Sequence, residues 1–428
     1  MKIAVWHNLP SGGGKRALYD QVRGLVSRGH RVEAWCPPTA SQDFLPLSPL
    51  ITEHVVPLAG VSAAPRNWIG RFRYRLDETG RRMKSMEDHC RICANEISSG
   101  GFDVLLVHPC LLFRASPMAK FSRLPNILYL AEPYRALYEA LPRLPWAAAR
   151  REFRPFSPRY WKEFISDQLA VHNKRVQVRE ETAWVAGYDQ VLVNSLFSRE
   201  SLMRAYNVDS RVCYLGIDTE TFCPTGAGKE RFVIGLGNLD VNKRPALAVR
   251  AVAEIPLEDR PELIWVGNYA APDPLQEVQK LARHLGVDFS LKMLIPDEAL
   301  QDLLSRAAVM IYTSQLEPFG YAPLEANACG TGVVAVAEGG VRESLGNPAS
   351  GILVPNASPQ ELAAALLKFT GDLGFAAEFG RAACAHVRDQ WSQAKAMDRL
   401  EAELERLLKT PRTQGAPPHR ILEACCAA

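Results

Sequence analysis

The first 36 residues, MKIAVWHNLPSGGGKRALYDQVRGLVSRGHRVEAWC, decide the fold class. Short apolar strands at 2–6 and 32–35 enclose a helical stretch that runs from about Lys15 to Arg28. A turn rich in glycine joins the first strand to that helix. This strand–helix–strand order predicts an α/β protein whose sheet is parallel and covered by helices.

Seven further apolar runs continue the pattern along the chain. Each is nearly continuous, as expected of parallel strands that are buried on both faces, and they lie at 104–107, 127–130, 190–193, 231–234, 263–266, 309–312 and 332–336. Helical text separates them, and a last helical stretch covers about 375–409. The series restarts after residue 214, so the sequence predicts two doubly wound Rossmann-like domains.

Length and composition exclude several classes of protein. The chain has 428 residues, of which 47% are hydrophobic and 23% charged, which excludes disorder, coiled coil and collagen-like structure. No window holds the roughly 20 apolar residues of a membrane span, and the start of the sequence does not resemble a secretory signal. The ten cysteines are scattered, and the Cys90–Cys93 pair has no partner set for zinc. A reducing cytoplasm is the expected location.

Charge is unevenly divided between the two halves. Residues 1–214 hold 30 Lys and Arg against 20 Asp and Glu, and residues 215–428 hold 20 against 27. The basic half contains two stretches that mix arginine with aromatics, one from Arg66 to Lys84 and one from Arg143 to Lys162. They are interpreted either as helices whose aromatic side chains pack in the core or as segments that lie on an anionic membrane, at the inner face of the cytoplasmic membrane. No nucleic-acid motif accompanies them, so no nucleic-acid partner is expected.

The turn Gly12-Gly13-Gly14 stands between the first strand and the first helix. Backbone N–H groups there can approach a phosphate closely, and the helix N-terminus adds a positive dipole end. The spacing fits neither a Walker A loop nor a complete G-x-G-x-x-G fingerprint. A simple tight turn and a phosphate contact both remain open.

The strongest functional signal is SQLEPFGYAPLEANACGTGVVAVAEGG, residues 314–340. Glu317 and Glu325 are eight residues apart, and Pro323 favours the first turn of a helix that holds Glu325. The loop before this helix follows a strand, and open α/β sheets bind ligands at that edge. A carboxylate on the helix can accept hydrogen bonds from ribose hydroxyls.

This segment resembles the E-x7-E motif of the family 4 retaining glycosyltransferases, which have the GT-B fold. Four more blocks match that family in order over about residues 1–390: GG with RGH near the start, VNS with FS, YLGID, and GLGNLDVNK at 235–243. The closing text at Gly339-Gly340 matches as well. The resemblance implies two facing Rossmann-like domains with a cleft between them. Their expected bounds are 1–213 for the acceptor side, 214–390 for the nucleotide-sugar side, 391–409 for a helix that crosses back, and 410–428 for a flexible tail.

The resemblance also implies roles for individual residues. His108, Glu317 and Lys243 would be catalytic, with Lys243 neutralising the departing diphosphate and His108 near the reacting carbon. The residues implied to bind the donor are Gly12, Gly13, Asn238, Lys243, Arg244, Glu317, Phe319, Gly320, Tyr321, Leu324 and Glu325. Two positions depart from the family pattern, with Asn238 in place of an arginine and Ala131 in place of a histidine. Arg244 is the candidate that replaces the missing charge.

The implied reaction moves a sugar from a UDP-, GDP- or ADP-sugar to a glycan or lipid-linked acceptor in cell-envelope or polysaccharide synthesis. No D-x-D motif is present, so no metal and no other cofactor is expected. Three simpler interpretations remain open: His108 as a hydrogen-bonded strand residue, Lys243 as a surface lysine, and the two glutamates as a loop cap and a solvated residue. Alternative functions are an inactive nucleotide-sugar-binding protein and another GT-B enzyme such as a sugar-nucleotide epimerase.

Overall fold

The computed structural model describes residues 1–60, 67–139, 147–148 and 152–410. The expected tail beyond residue 410 lies outside these ranges, as do eight residues of the arginine-rich stretches: Arg66, residues 143–146 and residues 149–151. The chain divides into two compact units. The first unit comprises Met1–Asn194, Arg199–Cys213 and the described residues after Asp398, and the second comprises Ser195–Ser198 and Tyr214–Asp398.

The first unit is built on a seven-stranded sheet in the order β3-β2-β1-β4-β5-β6-β7. All six pairings are parallel. The strands are β1 Lys2–Asn8, β2 Arg31–Cys36, β3 Thr52–Val55, β4 Val104–Cys110, β5 Asn126–Tyr129, β6 Gln190–Val193 and β7 Arg211–Val212. The helices are α1 Gly13–Ser27, α2 Trp68–Leu76, α3 Glu78–Ser99, α4 Met118–Phe121, α5 Arg135–Tyr138, α6 Pro158–Ala186 and α7 Leu196–Tyr206, the last of which begins in residues of the second unit.

The second unit is built on a six-stranded parallel sheet in the order β10-β9-β8-β11-β12-β13. Its strands are β8 Glu230–Leu236, β9 Glu262–Gly267, β10 Phe289–Met293, β11 Ala307–Tyr312, β12 Val333–Val336 and β13 Gly351–Val354. Its helices are α8 Pro245–Ala253, α9 Pro272–Leu285, α10 Asp297–Arg306, α11 Tyr321–Ala328, α12 Val341–Ser344, α13 Pro359–Thr370, α14 Leu373–Gln390 and the first part of α15 Gln393–Lys409. The predicted doubly wound α/β class is confirmed.

Central strands are apolar because helices cover both faces of each sheet. In β11 all six residues are buried, and in β4 every residue but Pro109 is. Side chains of β1, β4 and α3 form the core of the first unit, and those of β8, β9, α8 and α13 form the core of the second. Polar residues therefore gather at the strand ends, where the sheet meets solvent.

Sequence reasoning missed four strands, β3, β7, β10 and β13. Each lies at an end of its sheet. An edge strand has a neighbour on one side only and need not be a continuous apolar run. Two of the four, TEHV in β3 and FSLKM in β10, contain no fully buried residue. Because these two strands contain polar residues, they lack the continuous apolar run by which the other strands were predicted.

The helical stretch expected at about 375–409 consists of two helices, α14 and α15. At the break, Ile217 donates its backbone N–H to the carbonyl of Trp391 at 2.7 Å and accepts from Gln393 at 2.9 Å. These bonds replace helical ones, so the chain turns there. From Arg399 onward α15 belongs to the first unit, where Glu401 accepts from Nε2 of His30 at 2.7 Å.

Candidate functional site

At the carboxyl edge of the second sheet, a loop after β8 supplies two cationic side chains. The loop forms a 3₁₀ turn over Val241–Lys243, which Asp240 caps by accepting from two backbone N–H groups at 2.9 and 3.1 Å. The backbone at Gly237, whose φ is 141°, lies close to the Lys243 side chain. A Cβ at this position would lie 3.3 Å from Cε of Lys243. Lys243 is thereby directed across the strand ends.

Lys243 and Glu317 form an ion pair at this edge. Nζ of Lys243 donates to Oε2 of Glu317 at 2.6 Å, and the two side chains are 22% and 29% exposed. Burial lowers the pKa of Lys243, but the neighbouring Tyr312 and Glu317 groups raise it by more, so its pKa lies above the usual range. The ammonium is therefore charged throughout the neutral pH range.

Arg244 lies beside this pair and is held by β11 and by a carboxylate. Its Nε donates to the carbonyl of Thr313 at 2.7 Å, and its two terminal nitrogens each lie 3.1 Å from an oxygen of Glu338. The forked geometry suits a carboxylate or a phosphate. Arg244 thus brings a second positive charge to the edge where Asn238 is exposed, with no side-chain hydrogen bond in the described part of the chain.

The loop that carries Glu317 is fixed by a glycine pair. A Cβ on Gly339, whose φ is 66°, would lie within 2.7 Å of two Glu317 backbone atoms, and one on Gly340 would strike the carbonyl of Pro318. Gly340 also donates its N–H to the Glu317 carbonyl at 2.7 Å. Only glycines permit this approach, which sets the direction of the Glu317 side chain.

Helix α11 begins directly after that loop. Gly320, at φ 96°, is its N-cap, and Phe319 is anchored in the core with 3% exposure and an edge contact of 5.6 Å to Tyr321. The first N–H groups of a helix have no acceptor within it and, with the dipole, attract anions. Leu324 is fully buried and Glu325 is 4% exposed, so the Glu325 carboxylate lies inside the protein behind the N-terminal turn.

In the first unit, the glycine turn leads into α1 at the carboxyl edge of the other sheet. Gly12 is the N-cap with φ 136°, the helix begins at Gly13, and both residues are exposed. This geometry fits both a simple tight turn and a phosphate contact, because the residues that form the turn also expose the first backbone N–H groups of the helix.

A buried charged network, which we call the Lys15 network, lies under this turn. His7 Nε2 bonds to Oε1 of Glu53 at 3.0 Å, and Nζ of Lys15 lies 4.0 Å from the same oxygen. None of the three side chains is more than 3% exposed. Burial lowers the pKa of Lys15 and of His7, and hydrogen bonding from His7 helps to lower that of Glu53 against the effect of burial.

His108 lies at the end of β4, next to β1. It is 1% exposed, its Nε2 has no hydrogen-bond partner among the described residues, and its ring stacks on Tyr129 with centroids 5.8 Å apart. Burial, with help from the charges of His7 and Lys15, lowers its pKa to about 3. The imidazole is therefore neutral at pH 7, and its Nε2 is the ring atom that could form a hydrogen bond with a ligand.

One group of described side chains has donor atoms spaced like metal ligands. Those of His7, Cys36 and Glu53 lie within 4.8 Å of one another. The ammonium of Lys15 beside Glu53 opposes a divalent cation there, and burial raises the pKa of Cys36 to about 12, so its thiol stays protonated. Cys90 and Cys93 are buried free thiols of α3.

The arginine-rich stretches form an exposed aromatic surface on the first unit. Helix α2 has no buried residue and is tied to α6 by Arg75, which donates to Ser166 at 2.7 Å. The large apolar side chains of this surface are 38–98% exposed: Trp68, Ile69, Phe72, Leu76, Phe153, Phe156, Trp161, Phe164 and Ile165. Of the two interpretations left open by the sequence, packing of the aromatics in the core does not hold for these residues. None of the described helices is long and apolar enough to cross a membrane.

A family model matches part of the second unit. Residues 219–385 match the family model described as glycosyl transferases group 1. The matched range contains Lys243, Glu317 and Glu325. The first unit lies outside it.

A curated relative, the D-inositol 3-phosphate glycosyltransferase of Kribbella flavida, is 31% identical over 227 residues. The alignment covers 48% of this chain and 53% of the relative. The chain thus spans about half the length of the curated relatives it matches.

Solved structures resemble the chain over nearly all of its length. Sucrose-phosphate synthase from Thermosynechococcus elongatus has a TM-score of 0.66 at 17% identity and covers 95% of this chain and 98% of its own. Anabaena Alr3699/HepE in complex with UDP has a TM-score of 0.67 at 17% identity, with 95% and 100% covered. At such identity the likeness establishes the fold, which is the two-unit GT-B architecture.

Sequence reasoning missed the Lys15 network. Lys15 was assigned only to the start of a helix, and Glu53 lies in a strand that was not predicted. A signal was present, since Lys15 directly follows the glycine turn and opens a helix whose next buried positions are apolar. A charged residue on that buried face requires a partner.

Proposed function

We propose that this protein is a retaining glycosyltransferase of family 4 that transfers a sugar from a nucleotide-diphosphate sugar to a hydroxyl acceptor. The observation that carries the proposal is the Lys243–Glu317 pair, held 2.6 Å apart beside the N-terminus of α11. The group 1 glycosyltransferase match over 219–385 supports it. The E-x7-E spacing of Glu317 and Glu325 is part of the same argument.

The second unit would bind the donor. A diphosphate at the carboxyl edge would meet the Lys243 ammonium and the amides of Phe319, Gly320 and Tyr321. Anions are favoured at such a helix end. Preorganised donors that face the charge developing on the leaving diphosphate lower the barrier most. The similar fold of HepE, which was solved with UDP, supports UDP as one candidate nucleotide, and GDP and ADP sugars are tested beside it.

Two carboxylates would divide the recognition of the donor. When the diphosphate engages Lys243, Glu317 loses its partner and is free to accept hydrogen bonds from sugar hydroxyls. Glu325 lies four residues after Tyr321, the first residue of α11, which is about 6 Å along the helix axis at 1.5 Å per residue, and it would accept from the ribose. Arg244 would supply the charge that Asn238 lacks.

The first unit would bind the acceptor and, through Gly12 and Gly13, a donor phosphate oxygen. His108 is neutral, and its Nε2 has no hydrogen-bond partner among the described residues, which suits a hydrogen bond to a hydroxyl group. We expect a front-face reaction: the anomeric carbon–diphosphate bond breaks, the acceptor oxygen bonds to that carbon, and the acceptor proton passes to the leaving phosphate. Lys243 and Arg244 would provide the positive charge, so activity is expected without added metal.

We further propose that the acceptor is a glycan or lipid-linked glycan, reached at an anionic membrane through the aromatic surface. Phe156 is 98% exposed and Trp68 78%, and Arg159, three residues after Phe156, has an 88% exposed side chain that pairs with Glu163 at 2.9 Å. Contiguous exposed apolar groups mark contact sites, and aromatics with arginines suit an anionic interface.

Vesicle sedimentation tests the membrane contact. Wild type should bind phosphatidylcholine–phosphatidylserine vesicles at low salt, and Trp68→Ser with Phe156→Ser should weaken binding at least tenfold. Leu257→Ser is the matched control, because Leu257 is 73% exposed on the second unit. Equal binding by the double variant, or no binding to anionic vesicles, contradicts the proposal.

A thermal-shift panel with UDP, GDP, ADP and CMP and their common sugar conjugates tests the donor. A ligand at ~100-fold excess over its Kd stabilises the native state by about 2.7 kcal/mol. We expect one nucleotide to stabilise wild type and not Glu325→Ala, while the exposed control Glu361→Ala responds fully. Stabilisation without sugar transfer to any acceptor would favour the nucleotide-sugar-binding alternative, and no stabilisation contradicts both.

A further inference from the structure

A pocket of about 500 Å³ opens in the second unit at the edge opposite the candidate donor site. It is lined by the segment before β8, by the ends of α10 and α11, and by one face of α14. Each of the strands β8, β11 and β12 starts beside it, so it lies at their amino ends. Because β11 has six residues, about 20 Å of strand separates the two edges.

The pocket is cationic. Lys229, Arg381 and Arg388 line it, and no carboxylate is among its described lining residues. Arg381 and Arg388 lie seven residues apart on α14, which places both on one helix face about 10 Å apart. The nearby carboxylate of Glu230 is already paired with Arg306 at 2.8 Å. The three positive charges are therefore not neutralised locally by protein.

The two arginines have no fixed partner. Within the described ranges, neither Arg381 nor Arg388 forms a hydrogen bond or ion pair with a protein group, and both are exposed at the pocket mouth. Lys229 lies deeper and donates to the carbonyl of Ser305 at 2.8 Å. Burial lowers its pKa to about 8. An anion bound beside the ammonium would raise this pKa again.

Backbone geometry suits a phosphate in the same place. The lining segment includes Gly226, at φ 82°, and Gly228, and a Cβ built on either would meet nothing within 4 Å. The main chain there is open to close approach by a ligand. Exposed main-chain N–H groups beside cationic side chains are the usual components of phosphate cradles. The volume is within the 300–1,000 Å³ typical of small-molecule sites.

We propose that this pocket is a second binding site, separate from the donor edge, for a small phosphate-bearing metabolite. Arg381 and Arg388 hold the phosphate at the mouth, and Lys229 holds the deeper end of the ligand. The proposal does not depend on the transferase reaction, since no residue of the donor edge contributes to it.

Isothermal titration with inorganic pyrophosphate tests the site. The titration is done on a Lys243→Ala background, which removes the donor-edge cation, and is compared with citrate as a carboxylate probe. We expect one pyrophosphate per chain, bound at least tenfold more tightly than citrate. Arg381→Gln with Arg388→Gln should weaken pyrophosphate at least tenfold. Both arginines are exposed, so the variant should keep the wild-type melting temperature.

The matched control is Arg250→Gln with Arg283→Gln, an equal change of charge at exposed arginines of the same unit. It should leave the affinity unchanged. The proposal is overturned if pyrophosphate does not bind, if citrate binds as tightly, or if both double variants weaken binding equally. Failure of the donor proposal appears separately, as loss of nucleotide response with pyrophosphate binding intact.

Discussion

The carboxyl edges of the two sheets carry the same pair of charges in opposite surroundings. In the first unit, Lys15 and Glu53 are 4.0 Å apart with side chains 0% and 3% exposed. In the second, Lys243 and Glu317 are 2.6 Å apart with side chains 22% and 29% exposed. A buried charge left without its partner is costly, whereas a partly exposed one can exchange its partner for a ligand. The first pair therefore holds structure, and the second is available for chemistry.

The largest expected effect comes from breaking the buried pair. Glu53→Gln leaves the Lys15 amine without its carboxylate, so we expect the free energy of unfolding to fall by about 3–5 kcal/mol. Urea unfolding measures the loss. Glu33→Gln is the control, because Glu33 bonds to His54 at 3.0 Å with its side chain 31% exposed, and an exposed pair contributes about 1 kcal/mol or less. A similar small loss in both variants would show that the buried pair contributes no more to stability than the exposed one.

Breaking the exposed pair should spare folding and reduce activity. Lys243→Ala removes the positive charge beside the leaving diphosphate, and loss of one such stabilising group typically lowers kcat by about 10²–10³-fold. Steady-state transfer assays measure the effect. Lys292→Ala, at an exposed position of β10, should retain full activity. An active Lys243→Ala variant would contradict the claim that the pair at the second edge serves catalysis.

A glycine substitution tests how rigidly the second edge is built. Gly339→Ala adds a Cβ at φ 66°, 2.4 Å from the Glu317 carbonyl oxygen, and strain of this kind costs about 1–3 kcal/mol. We expect a lower melting temperature together with weaker nucleotide binding. Gly228→Ala has open space and should melt at or above the wild-type temperature.

The smallest effect is a pH dependence of the first edge, measured over the one pH unit below 6.5. The pKa of His108 is lowered from 6.5 to about 3 in the folded protein, so between these values the unfolded chain binds a proton that the folded chain does not. Stability should therefore fall as pH drops below 6.5, by about 1.4 kcal/mol per pH unit from this one group. Urea unfolding at several pH values should give a shallower slope for His108→Asn.

The edges differed in how far the sequence revealed them. The second edge could be predicted because its residues lie in two short segments, 235–244 and 314–340, next to apolar strands. Glycines and prolines in these segments mark turns and helix starts by local backbone rules. The ion pair itself was not predicted, because Lys243 and Glu317 are 74 residues apart and only the sheet order brings their loops together.

The first edge was hidden because its members come from separate strands. His7, Glu53 and His108 lie on β1, β3 and β4, and the polar text of β3 gives no strand signal. Burial of Lys15 depends on the packing of α1 over the sheet, which sequence spacing alone does not specify. The exposure of Trp68 and Phe156 was likewise open, since aromatic residues with arginines suit both a core helix and a surface.

The most direct test of the central claim compares one nucleotide as its diphosphate and its monophosphate. Isothermal titration with the nucleotide selected by the thermal-shift panel is done on wild type and on Lys243→Ala. The account predicts that wild type binds the diphosphate at least tenfold more tightly and that Lys243→Ala loses most of this preference. An equal preference in both proteins would contradict the claim that Lys243 holds the diphosphate.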